Sequence, residues 1–315
     1  MKFYYLIALC ILLFISTFVG AADISIFSMN IIDKDIILNY RLPRVLFSAL
    51  IGAILGFSGS LYQLILKNPL ADGFTTGAAS MAGLGAAISI IIGLNIYYIP
   101  FVSFIFAIIG IFFVYTIASR NGYINPVTMI LAGVVLNIFS SAIIGFIKYF
   151  YDESLASLIF FLMGGFHFIK WSQLLISLFT FLTLFLLVNR QANRLNLLAL
   201  DDASAITTGI NIKYIRLASF IIATFLTALA VSFTGIIGFV GLITPHIARA
   251  LYGSYMSDNL YYSSVMGAIL LSASDTFSRV IIPSGAELPV GIITAIIGGV
   301  FFFYLLNNKR QLQWF

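Results

Sequence analysis

Runs of about twenty apolar residues, parted by only a few polar ones, recur along the whole of this sequence and leave few folds open to it. A hydrocarbon core about 30 Å thick takes a helix of about twenty apolar residues to cross. The charge content points the same way. Charged residues make up 9% and hydrophobic ones 61%, with a mean hydropathy of +1.09. A soluble domain carries about a quarter of its residues charged, so this chain cannot wet a closed surface and needs lipid as its solvent. Its 315 residues fit one membrane domain, 1–315, better than two soluble ones.

Apolar runs bounded by polar or turn residues predict ten helical spans, near 3–21, 44–66, 74–94, 97–118, 127–149, 173–189, 215–236, 239–252, 260–282 and 288–306. Two assignments need argument. From Ile215 to Leu251 the chain is apolar almost throughout, and one helix of that length would extend about 55 Å. That exceeds what tilt absorbs, so Gly235, Gly238 and Gly241 are read as a break between a full span and a short one. The segment 153–172 centres on Met163-Gly164-Gly165-Phe166-His167, flanked by Asp152, Glu153 and Lys170, and reads as a re-entrant or surface-lying piece. The first run, Phe3 to Val19 before Gly20-Ala21-Ala22, also has the form of a cleavable signal peptide. Its length and the topology favour a retained helix.

With the N-terminus inside, ten cations face the cytoplasm: Lys2, Lys67, Arg120, Arg190, Arg194, Lys213, Arg216, Arg249, Lys309 and Arg310. Six face out: Lys34, Arg41, Arg44, Lys148, Lys170 and Arg279. That is the direction of the positive-inside rule, and it puts both termini in the cytoplasm. The net charge of +5 is no nucleic-acid signal, because the cations lie singly between spans. Gly52 and Gly56 form a GxxxG, and the Ala- and Gly-rich run 78–85 likewise allows close helix approach. Phe57-Ser58-Gly59 with Pro69 recurs as Phe233-Thr234-Gly235 with Pro245, a faint sign of the inverted repeats that transporters use.

The chemistry present narrows the energy source. There is no GxxxxGK[ST] phosphate loop, so the chain has no nucleotide cradle of that kind. A carrier driven by protons or sodium buries ionisable relays in mid-span. Here only Asp275 lies well inside a predicted span, and Arg279 stands one turn later as an i,i+4 partner, a pattern for a structural ion pair. No nucleophile–base constellation supports an enzyme. Cys10 is the only cysteine, and His167 and His246 lack a second ligand at metal spacing, so no metal or cofactor is expected. Energy is therefore expected from another subunit. The loop Arg190 to Arg216 is where such a subunit would act: Leu195, Leu197, Leu198 and Leu200 lead into Asp201-Asp202-Ala203-Ser204, which can cap a short helix that Gly209 with Asn211 can end. The residues alone leave open whether this element seats in a partner's cleft or lies on lipid.

Several stretches, in order, resemble the FecCD family of type II ABC importer permeases, which serve iron-siderophore, haem and cobalamin uptake. They are Arg41-Leu42-Pro43-Arg44, Asn68-Pro69-Leu70-Ala71, Leu131-Ala132-Gly133, Met163-Gly164-Gly165-Phe166, the run Gly235 to Leu242 with Pro245-His246, and Glu287-Leu288-Pro289-Val290-Gly291. The resemblance implies an all-α polytopic fold of ten spans in the bacterial inner membrane. It also implies a second permease subunit, identical or paired, two cytoplasmic ATPases and an extracytoplasmic binding protein. By matching motifs, Arg41, Arg44 and Arg279 would receive acidic residues of the binding protein, with guanidinium forks suited to carboxylates. Asn68 and Leu70 resemble the family's cytoplasmic gate. Its second gating segment would fall at Asn125-Pro126-Val127, where the family's small hydroxyl residues are not matched. The family's coupling loop has Leu-Ala-Leu-Gly-Glu; here Leu198-Ala199-Leu200-Asp201-Asp202 loses the glycine and keeps an acid. Coupling is therefore assigned to 198–210, on Leu198, Leu200, Asp201, Ser204, Ala205 and Gly209. The expected function is inward transport of a ferric siderophore or related iron chelate. Haem or cobalamin import and a stand-alone secondary carrier are the alternatives.

Overall fold

A computed structural model describes residues 2–20, 30–95, 97–120, 123–151, 155–166, 169–199, 211–282 and 286–307. Helix α1 is Lys2–Phe18; α2, Ile31–Ile36, runs through a π-helical turn, Ile37–Arg41, into α3, Leu42–Ile65. Then follow α4 (Ala78–Ile91), α5 (Ile99–Ala118), α6 (Pro126–Phe150), α7 (Leu155–Leu162), α8 (Trp171–Asn189) and α9 (Ala192–Leu198). The last four are α10 (Ile212–Thr234), α11 (Val240–Tyr252), α12 (Met256–Val280) and α13 (Val290–Asn307). A two-residue antiparallel pairing of Ser119–Arg120 with Tyr123–Ile124 closes the α5–α6 turn.

Each of the ten predicted spans has its helix. The helices Ile31–Ile65, Ile99–Ala118, Pro126–Phe150, Trp171–Asn189, Ile212–Thr234 and Val290–Asn307 are long and apolar enough to cross a membrane. Shorter apolar stretches lie in α1 and α4. Helix α12 is long but serine-rich and largely buried. With 13 residues, α11 extends only about 20 Å, short of a full crossing.

The core is built around α3. Phe47, Ile51, Ile54, Phe57 and Leu61 are fully buried on it. It can lie this deep because its glycines remove the spacing a side chain would impose. An added Cβ on Gly52 would run into the Gly267 carbonyl of α12, one on Gly56 into the Ser263 carbonyl, and one on Gly59 into Gly241 of α11. The GxxxG read from sequence is therefore a backbone-to-backbone seam. Helices α6 and α8 sit outside it and turn Leu131, Val135 and Phe146, and Ile176, Phe179 and Leu186, outward.

The glycine break is present. Gly235 ends α10 with φ +70°, and α11 starts at Val240. The segment read as re-entrant or surface-lying contains the eight-residue α7, packed into this break. The Gly165 N–H donates to the Thr234 carbonyl at 2.8 Å, and the Gly291 N–H to the Gly164 carbonyl at 3.4 Å. Leu158 and Phe166 are buried there. Backbone that leaves the helix inside a membrane must find its partners within the protein, and these three interrupted segments supply them to one another. The repeated Phe-Ser/Thr-Gly triplets adopt different backbone: Gly59 is helical within α3, whereas Gly235 closes α10. At one edge, Trp171 Nε1 donates to the Leu38 carbonyl at 3.1 Å and Lys170 Nζ lies 2.9 Å from the Tyr97 hydroxyl, a girdle of the interfacial kind.

Candidate functional site

The chain ends α1 with carbonyls that have no partner within that helix, as every helix does. Two arginines from distant segments fill them. Arg41 Nη1 donates to the Phe18 carbonyl at 2.9 Å and the Thr17 carbonyl at 3.5 Å. Arg279 Nη1 donates to the carbonyls of Val19 at 2.8 Å and Ser16 at 3.2 Å, while its Nη2 donates to Ser16 Oγ at 2.7 Å. The placement also sets cations at the negative end of the helix dipole. Asp275, fully buried, joins this cluster to Arg44. Its Oδ1 accepts from Arg44 Nη2 at 2.9 Å and Nε at 3.1 Å, and its Oδ2 lies 3.2 Å from Arg279 Nε. Arg44 Nη1 then reaches Glu287 Oε2 at 2.7 Å.

The structure therefore brings Arg41, Arg44 and Arg279 together, and the Asp275–Arg279 pair is present. Their exposure differs from that of a free rim. Arg41 and Arg279 are buried, with donors committed to α1, whereas the Arg44 and Glu287 side chains retain 16% and 30% exposure. Sequence reasoning missed Glu287 and the α1 carbonyls as partners. Glu287 stood in a quoted motif, but no helical spacing relates it to Arg44.

Asn68 and Leu70 lie on the turn after α3. Lys67 takes left-handed backbone, φ +47°, and Asn68 Oδ1 accepts the Leu70 N–H at 2.9 Å. Leu70 is exposed. The residue that holds the rest of the turn is Asp72, which sequence reasoning passed over. Its Oδ1 accepts the N–H groups of Phe74 at 3.0 Å and Thr75 at 2.9 Å, and the Thr75 and Thr76 hydroxyls donate to its carbonyl at 3.0 and 3.1 Å. Burial pushes this carboxyl above the usual carboxylate range, against the opposing hydrogen bonds from Thr75 and Phe74. Its signal was an Asp followed by Thr at the third position, a local cap. Asn125 caps α6, accepting from Val127 N at 2.9 Å and Thr128 N at 3.3 Å.

Of the coupling residues, Leu198 ends α9 and is buried; Leu200, Asp201, Ser204, Ala205 and Gly209 lie outside the described residues. Helix α9 is pinned to the start of α12. Asn196 Oδ1 accepts the Met256 N–H at 2.7 Å, and the Tyr255 hydroxyl donates to Asn193 Oδ1 at 2.8 Å. Among the described residues, no group of three His, Cys, Asp or Glu side chains is placed to hold a metal ion.

Residues 8–308 match the FecCD transport family. The chain belongs to this family. It is 36% identical over 281 residues to the "Probable iron chelatin transport system permease protein" of Helicobacter pylori, covering 87% of this chain and 83% of that one. It is 33% identical over 283 residues to the hemin transport system permease protein HmuU of Yersinia pestis, covering 87% and 84%. It is 30% identical over 282 residues to the molybdate import system permease protein MolB of Haemophilus influenzae, covering 89% and 83%. Among solved structures, the one titled "An inward-facing conformation of a putative metal-chelate type ABC transporter" superposes with a TM-score of 0.90, covering 98% of each chain at 29% identity.

The FecCD match gives the scattered motifs a common frame. Arg41-Leu42-Pro43-Arg44 and Glu287 meet at the arginine cluster, and Gly164-Gly165-Phe166, Gly235 and Gly291 meet at the interrupted helices.

Proposed function

We propose that this FecCD-family chain is a single-domain, non-catalytic permease subunit of an ABC importer in the bacterial inner membrane. It carries a ferric siderophore or related iron chelate into the cytoplasm, with both termini on the cytoplasmic side. ATP is hydrolysed by two partner subunits, a second permease subunit completes the path, and an extracytoplasmic binding protein delivers the substrate. The observation that carries this reading is the 0.90 TM-score match along the whole chain to a metal-chelate-type transporter. The iron chelatin permease relative supports iron chelates, while the hemin and molybdate relatives name the substrates to be tested against them.

Within this reading the docking surface is Arg44 with Glu287, backed by Arg41, Arg279 and Asp275. A binding-protein carboxylate approaching Arg44 meets a guanidinium already shared with Glu287, so it must displace or join that contact. The turn at Asn68 and Leu70 is the cytoplasmic gate, and the stretch 198–210 is the contact for the ATPase.

The test is reconstitution in proteoliposomes with the cognate ATPase and binding protein, assayed with labelled ferric siderophores, haem, cobalamin and molybdate. ATP-dependent uptake of an iron chelate is expected, and Glu287→Gln, at the more exposed end of the cluster, should free Arg44 for an incoming carboxylate and raise binding-protein affinity without lowering the yield of folded protein. ATP hydrolysis by the isolated chain, or uptake without the ATPase, would overturn the assignment.

A further inference from the structure

Between the end of α8, helix α9 and the start of α10 lies an open cavity of about 190 Å³. Its floor is Val188, Leu195 and Ile215, all buried, and its wall continues along α10 through Ala218 to Ile222. From Tyr214 to Ile222 that wall is about 12 Å long. Ser219 brings one buried hydroxyl to that wall, and at the mouth Arg194 and Gln191 stand exposed. Arg190 and Lys213, also exposed, flank it on the adjoining helix ends. Among the described residues these three cations make no ion pair, and the described acid on a neighbouring element is Asp258, in the first turn of α12. Just beyond the mouth, Leu186 and Leu187 of α8 and Ile221 of α10 are exposed and apolar. The surface thus changes from cationic to hydrocarbon-like across the slot.

We propose that this slot binds one acyl chain of an anionic phospholipid, whose phosphate rests among Arg190, Arg194 and Lys213. Two features select this occupant. A cavity lined mostly by apolar side chains does not suit a free anion as the whole ligand. The cations at its mouth, without an ion pair among the described residues, stand where α8 and α10 leave their apolar stretches, the depth at which long basic side chains meet headgroup phosphate. The site lies beside α9 and so beside the segment assigned to the ATPase contact, and a lipid here would brace α9 against α10. The proposal rests on the chain spanning a membrane, and not on which substrate it carries.

The experiment titrates the purified full chain in detergent with dioleoyl phosphatidylglycerol, dioleoyl phosphatidylcholine or glycerol phosphate, reading bound ligand by native mass spectrometry. Phosphatidylglycerol is expected to bind at least about 25-fold more tightly than phosphatidylcholine. Each cation near a headgroup is worth about fivefold in affinity. Arg194→Gln with Lys213→Gln should therefore weaken phosphatidylglycerol binding about 25-fold and leave phosphatidylcholine binding unchanged. Ala218→Phe should weaken both lipids by filling the channel, with gel filtration checking that each variant stays monodisperse. Equal binding of the two lipids by the wild-type chain, or wild-type binding by the charge variant, would refute the proposal. So would glycerol phosphate competing as well as the lipid, or displacement of the lipid by the assembled ATPase. None of these readouts uses uptake, so a failure here is distinct from a failure of the transport assignment.

Discussion

Asp275 is a fully buried carboxylate between two guanidinium groups, which makes Asp275→Asn the most informative single change in the arginine cluster. Among the described residues, Asp275 is the carboxylate that Arg44 and Arg279 share, and Glu287 is a second one for Arg44 alone. Asparagine keeps the shape and one acceptor but removes the negative charge that the two guanidinium groups share. Breaking a buried ion pair by removing one partner costs about 3–5 kcal/mol, mostly the cost of the charge left behind. Arg44 can still lean on Glu287, so the burden falls on Arg279, 3% exposed and without a second carboxylate in contact among the described residues. Removing that charge as well should therefore relieve the strain. Arg279→Met in the Asp275→Asn background should recover about 0.5–3 kcal/mol relative to the sum of the single changes, the range of coupling found between contacting residues. Recovery will be incomplete because Ser16 and Val19 lose the donor to their carbonyls. Reversible unfolding in mixed micelles, run as a double-mutant cycle, measures the coupling. Additivity within about 0.5 kcal/mol would show that Asp275 and Arg279 do not depend on one another, and the account of the cluster would be wrong.

Two further predictions follow from local geometry. Asp72→Ala strips the acceptor from the Phe74 and Thr75 N–H groups and should cost about 1–3 kcal/mol for each, whereas Asp72→Asn keeps an acceptor. Because burial raises the native carboxyl, its favourable contribution is complete below the unfolded value near pH 4 and is lost as pH rises through the native value. Asp72→Asn should thus gain on wild type with rising pH in unfolding measurements, and a gain on acidification would contradict this. Gly56→Val should abolish accumulation of folded protein by forcing α3 off the Ser263 carbonyl, while Gly145→Ala, where a Cβ meets nothing within 4 Å, should leave the yield unchanged; equal yields from the two would remove the seam as the basis of core packing.

Span positions were legible because an apolar run long enough to cross lipid is a local property, and Gly235 could be read as a break because a single helix there would be too long. The ion pair at Asp275 was legible for the same reason, its partner being one turn away. What the sequence hid was the company each residue keeps. Counting charges placed Arg41 and Arg279 outside, but no count shows that the carbonyls at the end of α1 need donors and that these two side chains reach them. Asp72 was overlooked because its work is done on backbone N–H groups within three residues, which no charge pattern marks. The motifs at 164, 235 and 291 looked like separate matches, and only the folded chain shows that they complete one another's hydrogen bonding.

The bond from Arg279 to Ser16 spans 263 residues. At about 5–20 residues per second, a ribosome makes Arg279 roughly 13–50 s after Ser16. Throughout that interval the Ser16 and Val19 carbonyls lack the donor they will finally have, and the groove that α1 packs against on α12 does not exist. Until then α1 has mainly the π-helical turn and α3 to pack on, and the side that will meet α12 waits in lipid. Any insertion machinery that shelters it would have to hold it until nearly the whole chain has been translated.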